Sequence, residues 1–67
     1  MKSVIKIINM YSNEDSKKIQ EAIVHNEGII ASQTSISKKE VTIIYDETSI
    51  EIEKIIDSIE DLGYLVI

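Results

Sequence analysis

Apolar and polar positions alternate from Ser3 to Asn9, with Ile5 and Ile7 on one face and Val4, Lys6 and Ile8 on the other. Their β-branched content predicts a strand. Ser12-Asn13-Glu14-Asp15 then has the pattern of a helix start. Ser12 is placed to be the N-cap, and Asp15, three residues on, to return a bond to the Ser12 N–H as a short-armed capping box. Glu14 and Asp15 also suit the positive end of a helix dipole. Ile19, Ala22 and Ile23 follow at helical spacing. That helix should fade at His25-Asn26-Glu27, with Gly28 as its left-handed exit.

Ile29–Ile36 reads as a second strand, and its polar positions Ser32 and Thr34 mark it as an edge. Ser37-Lys38-Lys39-Glu40 is a charged hairpin connection. Val41–Tyr45 is a third strand, with Val41, Ile43 and Tyr45 on one face and Thr42 and Ile44 on the other. After a turn at Asp46-Glu47, Thr48-Ser49-Ile50-Glu51 forms a second capping-box pattern. Ile52, Ile55, Ile56, Ile59 and Leu62 make the clearest helical stripe in the chain. Gly63 ends it, and Tyr64–Ile67 is a short last strand. The order β-α-β-β-α-β predicts an α+β, ferredoxin-like fold. Two right-handed crossovers set both helices on one face of a four-stranded antiparallel sheet, order 4-1-3-2.

The length of 67 residues fits one domain spanning 1–67. A chain this short buries only about 60% of its unfolded surface, so modest stability is expected. With no Trp or Phe the core must be mainly aliphatic, dominated by isoleucine. The net charge of −5, with its lysines scattered or paired, argues against a nucleic-acid partner. No apolar run is long enough to span a bilayer, and Lys6 interrupts the only candidate for a leader. A cytoplasmic protein is expected. Zero cysteine excludes disulfides, thiolate metal sites and cysteine nucleophiles.

With those elements in order, the chain resembles the heavy-metal-associated domain, the fold of small copper chaperones and of the N-terminal modules of metal-transporting P-type ATPases. The resemblance covers nearly the whole chain. The family motif is Met-Thr-Cys-x-x-Cys after the first strand. Met10 matches its Met, Tyr11 stands at the Thr, Ser12 at the first Cys and Asp15 at the second. Asn9 replaces the glycine usual before the Met. Gly28-Ile29, Val41–Asp46 and above all Ile59-Glu60-Asp61-Leu62-Gly63-Tyr64 follow the family pattern. The family binds Cu(I) or Zn(II) through both thiolates, and both are replaced here.

Cu(I) is soft and prefers sulfur, whereas a hydroxyl and a carboxylate are hard. No tight Cu(I) or Zn cofactor is therefore expected. The resemblance implies that Met10 points into the core and supports the loop, in keeping with methionine's gap-filling role. Tyr11, Ser12, Asn13, Glu14 and Asp15 all bear oxygen, so weak metal binding at Met10, Ser12 and Asp15, with Glu14, is the alternative. Adjacent carboxylates at a helix start do not enclose an ion that wants six to eight oxygens. His25, the only histidine, reads as a solvated helix-end residue, and Ser12 has no base beside it, so no enzyme is expected.

Two surfaces are candidates for protein contact. One is Tyr11 packed against Tyr64, which the resemblance brings near the loop. The other is the outer sheet face, where Val4, Ile8 and Ile44 should be neighbours. The reading is an interaction or regulatory module without a soft-metal site. Expected partners are a metal-transporting ATPase or a related small domain, and a weak homodimer. A ligand sensor of the ACT type shares only the topology.

Overall fold

The computed structural model describes residues 1–67. Its elements are β1 (Lys2–Lys6), α1 (Asn13–Val24), β2 (Ile29–Ser35), β3 (Glu40–Tyr45) and α2 (Ile52–Glu60). The strands form an antiparallel sheet of order β1-β3-β2, with Val4 opposite Thr42, Lys2 opposite Ile44 and Ser32 opposite Ile43. The α+β, ferredoxin-like plan and the edge position of β2 are as expected.

A fourth strand is not present. The last segment makes a single antiparallel bridge, Ile7 to Val66. Its backbone bonds are Ile8 N–H to Leu65 O at 3.0 Å and Ile67 N–H to Lys6 O at 3.1 Å. The reason lies on the β1 side. Past the Ile7–Val66 bridge, the side chain of Asn9 takes the next place in the pairing. Leu65 N–H donates to Asn9 Oδ1 at 2.8 Å, and Asn9 Nδ2 donates to Gly63 O at 3.3 Å. A side-chain amide imitates a backbone peptide here, so the segment is held beside β1 without a regular ladder.

The inner face of the sheet alternates as the pattern requires. Ile5, Ile7, Val41, Ile43 and Tyr45 are buried there. Against them lie Ile19 and Ile23 of α1 and Ile55 and Ile59 of α2, all four fully buried. Met10, Ile50 and Tyr64 complete one cluster of 12 side chains. Leu62 does not join it. The α2 helix ends at Glu60, and Leu62 falls in the closing turn, 47% exposed.

The second capping box also gives way. The N-cap of α2 is Glu51, with no side-chain cap bond. The hydroxyls meant for that cap turn back to Asp46 instead. Asp46 Oδ1 accepts from Thr48 N–H at 3.0 Å and from the Thr48 hydroxyl at 2.6 Å, and Oδ2 accepts from Ser49 at 3.1 Å. As donors to an ionised acceptor two and three residues away they form charge-assisted bonds, and their oxygens are turned from the first-turn N–H groups that a cap would accept from. The Thr48 hydroxyl and amide together hold the Asp46 carboxyl below its ordinary range, and Ser49 adds to this.

Gly28 and Gly63 both have positive φ, +91° and +95°. Only Gly28 is also crowded. A Cβ there would lie 2.9 Å from Ser49 Cβ and 3.1 Å from Ile50 Cγ2, whereas one at Gly63 would meet nothing within 4 Å. Gly63→Ala should therefore cost about 1–3 kcal/mol from backbone strain alone. Gly28→Ala should cost more, because the start of β2 must also move off the α2 approach. Urea unfolding of the two variants side by side measures the difference. Equal losses would mean the crowding at Gly28 relaxes freely.

Candidate functional site at the entry to α1

Residues Ile7–Ser12 join β1 to α1, and the local sequence fixes their path. Ser12 adopts the extended N-cap conformation, with φ −127° and ψ 166°. Its Oγ accepts from Asp15 N–H at 3.2 Å, and Asp15 Oδ2 accepts from Ser12 N–H at 3.1 Å. Both arms of the expected capping box are made.

The carboxylate does more than return the cap. Oδ2 also accepts from Tyr11 N–H at 2.9 Å, and Oδ1 accepts from the Tyr64 hydroxyl at 2.6 Å. Asp15 thus ties the loop, the helix start and the C-terminal segment to one charge. The Tyr64 hydroxyl above all, then the Tyr11 amide, lowers the Asp15 pKa from 3.8 to about 2. The same bond, with burial and the adjacent charge, raises Tyr64 from 10.0 to about 12.

Asn9 reinforces that tie through its contacts with Gly63 and Leu65. The loop therefore grips three consecutive residues, Gly63, Tyr64 and Leu65. The two residues responsible, Asn9 and Asp15, stand where the resemblance puts glycine and cysteine. Sequence reasoning placed Tyr64 near the loop but did not find its bond to Asp15, nor the role of Asn9. A carboxylate and a phenol at those positions were the available signal.

Met10 is fully buried in the core cluster, with its thioether away from solvent. Tyr11 is 67% exposed and does not lie in the core with Tyr64. Its ring instead carries the Lys39 ammonium, 3.9 Å from the centroid. Lys39 Nζ also donates to Ile8 O at 3.2 Å, and Lys39 itself has φ +56° at the β2–β3 turn. Tyr64, 8% exposed, offers little surface. The exposed aromatic at this end is thus Tyr11, with Lys39 over its ring.

No group of three or more His, Cys, Asp or Glu side chains gathers around a point that could hold a metal ion. The donor set at the loop does not fit Cu(I): one hydroxyl, one hydrogen-bonded carboxylate and a buried thioether. His25 caps the far end of α1, its N–H bonded to Glu21 O at 3.2 Å. On the outer sheet face, Val4, Ile8 and Ile44 are 53%, 40% and 40% exposed. No helix is long and apolar enough to cross a membrane.

The sequence model of the heavy-metal-associated domain matches residues 4–64. The copper chaperone CopZ of Staphylococcus haemolyticus is 26% identical over 61 residues, covering 91% of this chain and 90% of that protein. Among solved structures, a CopZ metallochaperone superposes with a TM-score of 0.97 at 19% identity over the full length of both chains. A copper-binding domain of the P-type ATPase HMA7 gives 0.92 at 18% identity, over 98% of this chain and 89% of that one. Apo-CopP of Helicobacter pylori gives 0.89 at 24% identity, with both chains fully covered.

The two shifted groups set opposite pH limits. Asp15 is depressed, so its contribution to stability is present above 3.8 and is lost as pH falls through about 2. Tyr64 is raised, so its contribution is complete below 10.0 and is lost as pH rises through about 12. Tyr64→Phe should remove the alkaline limb and move the Asp15 titration back toward 3.8. Carboxyl-carbon NMR titration of Asp15, with chemical unfolding at each pH, checks both. An unchanged Asp15 midpoint in Tyr64→Phe would mean the hydroxyl is not its main support.

Proposed function

The chain belongs to the heavy-metal-associated domain family, and we propose that it serves there as a protein-interaction or regulatory module rather than as a Cu(I) carrier. The observation that carries this reading is the closed network on Asp15. The residues at the two cysteine positions, Ser12 and Asp15, bond to each other, and the carboxylate also holds Tyr11 and Tyr64. A metal-bridging pair must face outward with free lone pairs, whereas these groups spend theirs on the fold. The protein takes no tight Cu(I) or Zn, and it catalyses no reaction.

The retained scaffold keeps the family's surface around the loop. Tyr11, with the Lys39 ammonium over its ring, is an exposed aromatic at the loop, a residue type favoured in protein contacts. Its partner in this reading is a metal-transporting ATPase domain or a related small domain, met in the cytoplasm. An oxygen-rich site at Met10, Ser12, Glu14 and Asp15 has less to work with. Asp15 already accepts three donors, and Met10 is buried.

Titration with Cu(I) against a competing chelator tests the reading. The expected result is no uptake at chelator strengths that a thiolate pair overcomes. Stoichiometric uptake by the unmodified chain would overturn it. Ser12→Cys/Asp15→Cys should bind one Cu(I), since N-cap-to-N3 spacing is also the spacing of the thiolate pair. Failure of that variant, correctly folded, would mean the loop alignment is wrong. Amide shifts confined to Tyr11–Asp15 on adding Ca(II), Mg(II) or Zn(II) would favour the oxygen site.

A further inference from the structure

The β2 edge of the sheet is open. Only β3 pairs with β2, and no turn, loop or cap bond uses a backbone group of Ile29–Ser35. Its outward-facing N–H and C=O groups have no partner in the chain. Natural edges of this kind are usually blunted by lysine, proline or an inward charge. Here no residue from Gly28 through Ser37 is charged, and none is proline. The one protective feature is a bulge between Ile29 and Ala31, with Ile30 69% exposed. It twists the first residues aside and leaves Ala31–Ser35 as the straight part of the edge.

Helix α1 flanks that edge. Lys17, Gln20, Glu21 and Val24 line a cleft of about 350 Å3 together with Ser32. They follow the spacing i, i+3, i+4, i+7, a second stripe on α1 distinct from the buried Ile19 and Ile23. The stripe has one positive and one negative residue, and Val24 is 58% exposed.

We propose that β2 is the pairing edge of a symmetric dimer, two copies of this chain joining β2 to β2 antiparallel about a two-fold axis normal to the sheet. Such an axis merges two sheets into one and keeps both helix layers on the same side. It also runs the α1 stripe antiparallel to its copy, which sets Lys17 of each chain toward Glu21 of the other. An isologous contact needs a self-complementary surface, and this edge supplies one in both backbone and charge. A chain of net charge −5 would repel its copy at most other surfaces, but the edge is uncharged. The outer sheet face is less suited, because Lys2 and Lys6 lie on it beside Val4. Edge-to-edge contacts bury less than about 1,200 Å2, so the dimer is weak and concentration-dependent. Metal uptake plays no part in it, so its presence or absence is independent of the loop chemistry.

NMR diffusion and sedimentation from micromolar to millimolar concentration test this. The expected result is a monomer–dimer equilibrium with concentration-dependent amide shifts at Ala31–Ser35 and along Lys17–Val24. Gln33→Lys should weaken association about tenfold, since like charges oppose across the new ladder and each substitution counts twice. Lys17→Glu and Glu21→Lys should each weaken it, and the double exchange Lys17→Glu/Glu21→Lys should restore it. That restoration also guards against simple loss of folding. A strict monomer at millimolar concentration would overturn the proposal. So would shifts confined to Val4, Ile8 and Ile44, or to Tyr11.

Discussion

One ionised carboxylate organises the end of this molecule where β1 passes into α1. Asp15 accepts from the Tyr11 amide, the Ser12 amide and the Tyr64 hydroxyl. Charge-assisted bonds of this kind are shorter and stronger than neutral ones. Each ties Asp15 to a different part of the chain: the loop, the helix cap and the C-terminal segment. Because Asp15 is at N3 of α1, its position also sets where the helix begins. Ile19 and Ile23 then fall one and two turns on, against the sheet. Asn9 adds a neutral clamp on either side of Tyr64, at Gly63 and Leu65. The loop is therefore built into the fold and is not a flexible appendage awaiting a ligand.

The helices and the sheet face them from a core that is almost wholly branched aliphatic. Such side chains are stiff and pack by shape, with no polar atoms to satisfy. The unbranched Met10 and two tyrosines are the exceptions, and each tyrosine places its hydroxyl on a partner: Ser3 for Tyr45 and Asp15 for Tyr64. No buried side-chain polar atom is left without one. The family scaffold thus persists in a chain whose loop has no sulfur outside the core. The layers hold by burial and capping, which do not require a metal.

What could be read from the sequence was what depends on near neighbours. The Ser12–Asp15 box, the α1 stripe, the alternation of β1 and β3 and the edge position of β2 all follow from local spacing. Errors arose where a distant or stronger competitor intervened. Thr48 and Ser49 had the pattern of a cap, but Asp46 was closer and charged. Leu62 continued the Ile52–Ile59 spacing, but the helix had already ended at Glu60. The last segment has strand-like residues, yet Asn9 substitutes its side chain for the next ladder position. The bond from Tyr64 to Asp15 spans 49 residues, and no periodicity encodes it. Lys39 over Tyr11 is similar, since it needs a left-handed backbone at the hairpin to bring the two together.

Capping and metal binding make opposite demands on the same two positions. A cap wants a side-chain oxygen turned inward to the orphan amides of the first turn. A ligand pair wants both donor atoms turned outward, converging on a point in front of the loop. A carboxylate has about four lone-pair sites, and Asp15 has committed three. A hard cation arriving here would find one remaining site and the positive pole of α1. To gain more it would have to break the Tyr64 bond, loosen the C-terminal segment and uncap the helix together. The stronger the network that shapes this loop, the less chemistry its oxygens have left to offer.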